Sequence, residues 1–193
     1  PPPPADPPPP PATLSIENDF QTDASPWSVM AGDWVIDNGV YRQTRMTGAG
    51  GLRSFLPYWY TDVHIEADVK INAANNPTNW VGLNLRGGTI WKEARPRAYL
   101  VLLRQNGELD LYNPVDGTVV AVPGAVADTS VFHRLGVTLD SWRFEITLDG
   151  QSRIIWDDPN HRYASGLVSL EAGMTNCSFD DVKVVELRPG DFD

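Results

Sequence analysis

Cysteine is almost absent. Cys177 is the single thiol in 193 residues. One thiol makes no internal disulfide, so the fold does not depend on oxidation, and the expected place for this side chain is a buried, unreactive one. Histidine is scarce too. His64, His133 and His161 show no zinc-ligand spacing and no Cys/His cluster, which excludes a zinc centre of familiar pattern. No apolar run approaches the ~18 residues of a membrane-spanning helix. No leader with a basic start and an apolar centre is visible, and the opening inside a proline tract places any signal or anchor upstream of it. Positive charge is sparse: 15 Lys and Arg stand against 25 Asp and Glu, for a formal net charge of -10. The basic residues are scattered singly, so nucleic acid and anionic membranes are repelled, while neutral or cationic ligands remain open. There is no amphipathic stretch of helical period and no Gly-x-Ser-x-Gly nucleophile elbow. Nor is there a phosphate-cradling glycine loop, since Gly48-Ala49-Gly50-Gly51 precedes a strand pattern rather than a helix.

What is present falls into three parts. Nine of the 17 prolines lie in the first eleven residues, so residues 1–12 read as a polyproline II linker at ~3.1 Å per residue, a spacer to other domains. Residues 13–187 read as one folded unit, large enough to bury roughly 70% of its unfolded surface without disulfides or metals. Residues 188–193 read as a flexible tail.

The folded part has period two. Val63, Ile65, Ala67, Val69 and Ile71 alternate with His64, Glu66, Asp68 and Lys70; Val81, Leu83 and Leu85 with Trp80, Gly82, Asn84 and Arg86; Phe144, Ile146 and Leu148 with Arg143, Glu145 and Thr147. Each is a strand with one face in a core. Asn38-Gly39, Asn106-Gly107 and Asp149-Gly150 lie between such runs and predict hairpin turns with positive φ at both central positions. Many short strands joined by tight turns, with almost no helix, specify an all-β sandwich or barrel.

Two segments carry a family likeness. Trp27-Ser28-Val29-Met30-Ala31-Gly32-Asp33-Trp34-Val35-Ile36-Asp37-Asn38-Gly39-Val40-Tyr41 resembles the opening of laminin G-like and 3-keto-disaccharide hydrolase-like domains. Gly166–Ala172, followed by Cys177-Ser178-Phe179-Asp180-Asp181-Val182-Lys183-Val184, resembles their closing segment. The likeness brackets residues 13–187 and points to the concanavalin A-like lectin/glucanase superfamily. It implies a two-sheet antiparallel jelly-roll sandwich with first and last strands adjacent, and a concave sheet face that holds sugar. It does not choose an activity, because that fold carries lectins, binding modules, glycosidases, lyases and adhesion domains.

Glu66-Ala67-Asp68 resembles the start of the E-x-D-x-x-E signature of laminarinase-type glycosidases. A retaining enzyme needs a second carboxyl ~5–5.5 Å away, and the run continues Val69-Lys70-Ile71-Asn72 without one. Binding is therefore the favoured reading. Aromatic rings pack on the axial face of a sugar while a few polar groups meet its hydroxyls. Parity places Trp80, Asn84 and Arg86 outward together, and Glu66, Trp91, Tyr99 and Glu171 complete the expected ligand set. The resemblance also suggests a structural calcium ion, with Glu17 and Asp19 near the first strand meeting Asp180 of the last. The expectation is a non-catalytic module, secreted or at the cell surface, that binds polysaccharide or oligosaccharide. Its alternatives are a hydrolase or lyase of the 3-keto-disaccharide hydrolase-like kind and an adhesion domain with a protein partner.

Overall fold

The computed structural model describes residues 14–48, 51–88 and 98–188. The linker 1–12, Trp91 and all but Arg188 of the expected tail lie outside the described residues. Fifteen strands follow in chain order: β1 (Ser15–Asn18), β2 (Ser28–Val29), β3 (Trp34–Asp37), β4 (Val40–Gln43), β5 (Leu52–Phe55), β6 (Val63–Ala74), β7 (Trp80–Gly87), β8 (Tyr99–Arg104), β9 (Leu109–Asn113), β10 (Gly117–Val122), β11 (His133–Asp140), β12 (Arg143–Leu148), β13 (Gln151–Asp157), β14 (Leu167–Gly173) and β15 (Thr175–Glu186). No helix occurs among the described residues.

The strands form two antiparallel sheets. One runs β13-β12-β11-β6-β15-β4-β3, with β1 also paired to β15; the other runs β10-β9-β8-β7-β14-β5-β2. First and last strands are thus adjacent, as the family likeness implies. The period-two runs place Val63 to Ile71 on one inner face and Val81, Leu83 and Leu85 on the other. Both sets are buried in one continuous core, together with Leu135, Val137, Leu139, Phe144 and Phe179. Each such side chain contributes ~1.5–3 kcal/mol of burial relative to exposure. Cys177 lies in the same core, and burial pushes its thiol far above the ordinary range.

Two of the three predicted turns form as expected: Asn38-Gly39 and Asp149-Gly150 have positive φ at both residues. The third differs. Only Gly107 is left-handed there, and the Arg104 amide donates to the Glu108 carbonyl at 2.9 Å. The loop is therefore the three residues Gln105-Asn106-Gly107, the pattern of a type I turn closed by a glycine bulge. This places Arg104 and Glu108 side by side at the head of β8 and β9.

Candidate functional site

The outer face of the second sheet is set by cross-strand register. Trp80 pairs with Arg104, Gly82 with Leu102 and Asn84 with Leu100. Leu100 in turn faces Tyr112, and Leu102 faces Asp110. On the other flank Gly173 faces Trp80, Glu171 faces Gly82, and Ser169 faces Asn84; Arg53 faces Glu171. These residues share one face because the side-chain period is two.

At one end of this face lies a groove of about 410 Å³, lined by Trp80, Leu100, Leu102, Arg104, Tyr112 and Gly173 among others. Its lining crosses from β9 over β8, β7 and β14 to the residue before β5, four strand spacings or roughly 19 Å at ~4.8 Å each. Leu100, Leu102 and Ala98 form an apolar floor, with Trp80 and Tyr112 packed against it. The Trp80 indole lies across Gly173: a Cβ added there would sit 2.3 Å from its Nε1. The rim is fixed by backbone bonds. Asn79 Nδ2 donates to the Met174 carbonyl at 3.0 Å, the Gln105 amide to the Asn79 carbonyl at 2.8 Å, and Arg104 Nη1 to the Thr78 carbonyl at 2.9 Å.

Beside the groove, farther along the sheet, the same face carries buried polar side chains. Arg53 Nε and Nη2 donate to Glu171 at 3.0 and 3.3 Å, and Asn84 Nδ2 donates to Glu171 Oε2 at 2.7 Å. Glu171 packs so tightly on Gly51 that no side chain fits there. Among the described residues, Asn84 Oδ1 and Ser169 Oγ, both fully buried, have no hydrogen-bond partner. Arg104 is held in turn by Asp110 at 2.5 Å and Glu108 at 3.4 Å. Burial pushes the Asp110 carboxyl above its ordinary range; Arg104 opposes this and Glu108 adds to it.

Of the expected ligand residues, Trp80, Asn84 and Glu171 share this face. Arg86 does not. Leu85 and Arg86 together occupy the interval opposite Val168 alone, a bulge that breaks the alternation, and Arg86 has φ 51°. Its guanidinium is fully buried and bridges to the other sheet. It donates to the Thr61 carbonyl (2.8 Å), the Tyr163 carbonyl (2.9 Å), the Asp62 carboxylate (3.1 Å) and the Ser141 carbonyl (2.6 Å). Tyr99 pairs with Leu85 and points into the core, where its hydroxyl donates to the Asp158 carboxylate and its ring packs on Phe144 and Tyr163. Glu66 lies on β6, on the outer face of the opposite sheet. Arg134 binds it at 2.9 Å and Asp68 at 3.2 Å, and that hydrogen-bonded guanidinium holds the Glu66 carboxyl below the ordinary range despite partial burial. The E-x-D pair is therefore remote from the groove. A Cβ at Gly82 would meet the Val101 carbonyl at 2.2 Å, so close strand approach requires the glycine there.

Of the expected calcium set, Asp19 lies within electrostatic reach of Asp180. Among the described residues no group of three or more His, Cys, Asp or Glu side chains is placed to hold a metal ion. Glu17 pairs with Lys183 at 3.1 Å. Asp180 faces Asp68 across the β15–β6 ladder. Its carboxyl is pushed up by burial and by the neighbouring charges of Asp181, Asp68 and Asp19. A larger cleft of about 550 Å³ lies here, lined by Glu17, Asp19, Asp23, Arg134, Asp181 and Lys183 among others. It offers hydrated charge and no aromatic platform.

Reasoning from sequence missed Arg53, Leu100, Leu102, Arg104, Asp110 and Tyr112. The signal for four of them was the turn length: one extra loop residue fixes the β8–β9 register and with it the outward set Leu100, Leu102, Asp110 and Tyr112.

No protein-family model and no curated protein sequence matches the chain. Solved structures do match it in fold. The carbohydrate-binding module CBM66 from Bacillus subtilis superposes with a TM-score of 0.66 at 19% identity, over 81% of this chain and 94% of that one. A beta-glucanase from Bacillus licheniformis gives 0.70 at 11% identity, over 90% and 98%. The laminarinase catalytic domain from Thermotoga maritima gives 0.65 at 13%, over 92% and 99%. The fold is thus the concanavalin A-like jelly roll.

Proposed function

We propose that this chain is a non-catalytic carbohydrate-binding module that holds a glycan across the outer face of its second sheet. One observation carries the reading: the groove combines a half-buried indole and a tyrosine over an apolar floor with a ring of fixed polar groups, the composition that a sugar needs. Its volume is in the range of ligand pockets, and its length across the sheet from β9 to Gly51 suits an oligosaccharide better than one sugar. The fold neighbours that bind or cleave carbohydrate support the same substrate class. Each carboxylate described on this face, Glu108, Asp110 and Glu171, is held by an arginine, which favours binding over cutting. We assign the module to a secreted or cell-surface protein, with residues 1–12 as its spacer, an arrangement that keeps substrate near a tethered partner domain.

The test is Trp80→Ala, with fold integrity checked by circular dichroism. On a glycan array and then by titration calorimetry, affinity should fall about tenfold or more, at least ~1.4 kcal/mol. Undiminished glycan binding would refute the groove, and binding of protein but no glycan would select an adhesion role. A second reading, a hydrolase or lyase, has one observation in its favour. Asp110 is a carboxyl raised by burial on the groove side of β9, and a raised carboxyl is what a general acid requires. Product analysis after incubation with a bound glycan separates the two, and released sugars would select the enzyme.

A further inference from the structure

The groove lining includes one charged side chain among the described residues, Arg104. A lone arginine beside an aromatic platform would invite an acidic sugar, because a guanidinium binds carboxylate and sulfate through paired N–H donors. The surroundings of Arg104 remove that option. Nε and Nη2 both face Asp110 Oδ2 at 2.5 Å. Nη1 donates to the Thr78 carbonyl at 2.9 Å. Glu108 Oε1 lies 3.4 Å from Nε. Two carboxylates thus share one cation, and three of its five donors are already committed to the protein.

The neighbouring cation is neutralised as well, since Arg53 and Glu171 form a two-bond pair with almost no solvent contact. Taking the five charges named on this face, two arginines stand against Glu108, Asp110 and Glu171, a local balance of one negative charge. The chain as a whole carries -10. An anionic glycan would approach a surface with no uncompensated cation among these groups. To form a fully paired bridge through Nε and Nη2 it would have to displace a buried aspartate, and at the remaining donors it would meet the negative charge of Asp110 and Glu108. A neutral sugar faces neither barrier. It stacks on Trp80 and Tyr112, and its hydroxyls can take the donors that Arg104 has left.

Resting on the groove as the glycan site, we infer that this protein selects uncharged polysaccharides and excludes those bearing uronate or sulfate groups. Asp110 and Glu108 set that selectivity through Arg104. They are specificity determinants and need not touch the ligand.

The test uses polymers that share a backbone and differ in charge: hydroxyethyl cellulose with carboxymethyl cellulose, and dextran or laminarin with its sulfated form. The full chain is titrated with each at about 20 and about 200 mM NaCl. For any backbone that binds, the charged form should bind at least about tenfold more weakly at low salt. Neutral affinity should change less than about twofold between the two salts, while the charged form recovers at high salt. Glu108→Gln, at a partly exposed position, should raise the charged-to-neutral affinity ratio by several-fold. Equal or tighter binding of the charged form, weakening with salt, overturns the inference. So does exclusion insensitive to both salt and Glu108→Gln, which would be steric. Trp80→Ala keeps the two levels apart. If it abolishes binding while charged polymers bind well, only the selectivity fails; if it changes nothing, or no polysaccharide binds, the groove reading fails and the selectivity with it.

Discussion

Replacing Arg86 by alanine should unfold the domain before it weakens any ligand. The guanidinium links the end of β7 to the approach to β6, the β11–β12 turn and the segment around Tyr163, through four hydrogen bonds of 2.6–3.1 Å. It also lies 4.9 Å from the Trp142 ring. Hydrogen bonds to a charged group are worth ~1.5–3 kcal/mol each, and such values do not add when the acceptors share one donor group. Removing one partner of a buried ion pair typically costs ~3–5 kcal/mol, because the other is left unpaired. Here the partner left behind is Asp62, about a quarter exposed, which keeps a hydrogen bond from the Ser141 amide at 2.7 Å. We therefore expect a loss of about 3–5 kcal/mol by urea denaturation. At ~2–4 °C per kcal/mol for a domain of this size, the melting temperature should fall on the order of 10 °C. Arg86→Lys should recover only part, since an ammonium cannot reproduce the planar fork. Below the melting transition the variant should keep its glycan affinity. A stability loss under about 1 kcal/mol with about tenfold weaker binding would refute this reasoning and return Arg86 to the ligand face.

Three further outcomes follow from the geometry. Asp158 accepts from the Tyr99 hydroxyl and from the Asn160 and Arg162 amides; burial raises its carboxyl, but these bonds outweigh it and hold it below the ordinary range. A carboxyl depressed by folding stabilises above its unfolded value of ~3.9 and loses that contribution as pH falls through its folded value; Asp158→Asn should lower the melting temperature most at neutral pH, with the gap closing below about pH 4, and a constant gap would refute the assignment. Excess chelator should leave the melting curve unchanged, since Lys183 occupies Glu17; a drop that free calcium reverses as RT ln(1 + [Ca]/Kd) would show that Asp19 and Asp180 hold an ion with carbonyl help. Replacing Arg53 and Glu171 together by Met and Leu should keep stability within about 1–2 kcal/mol, whereas Arg53→Met alone should cost ~3–5 kcal/mol; equal losses in the two would show that the pair is not energetically coupled.

The architecture was legible because period two is a strong signal when one face of each strand is dry. β6 shows it most plainly: Val63 to Ile71 are buried at every second position, with half-buried polar residues between. β7 shows where the signal ends. Its outward residues are buried as well, and a single extra residue at Leu85–Arg86 redirects the arginine that parity had placed beside Trp80. Nothing in Leu85-Arg86-Gly87-Gly88 announces a bulge, because the cause is the partner strand and the acceptors waiting at Thr61, Ser141 and Tyr163. The E-x-D motif failed for a related reason. Parity tells which face of its own strand Glu66 occupies, but not which sheet the strand joins. That assignment depends on β6 pairing with β11 and β15, contacts more than sixty residues away in sequence.

The two outer faces handle charge in opposite ways. On the first sheet Glu66, Asp68 and Arg134 each keep about 30% of their side-chain exposure. Such pairs stay hydrated, contribute little to stability, and are rearranged by salt at little cost. On the second sheet Arg53 and Glu171 are at 2 and 3%, with Asn84 and Ser169 buried beside them. Dehydrated charges rarely stabilise a fold more than well-packed apolar residues would, so stability alone does not account for them. Next to an apolar floor and a half-buried indole, they supply what apolar packing lacks: fixed dipoles beside the groove. Asn84 Oδ1 and Ser169 Oγ are buried without a protein hydrogen-bond partner among the described residues, a cost that an apolar pair of the same shape would not carry.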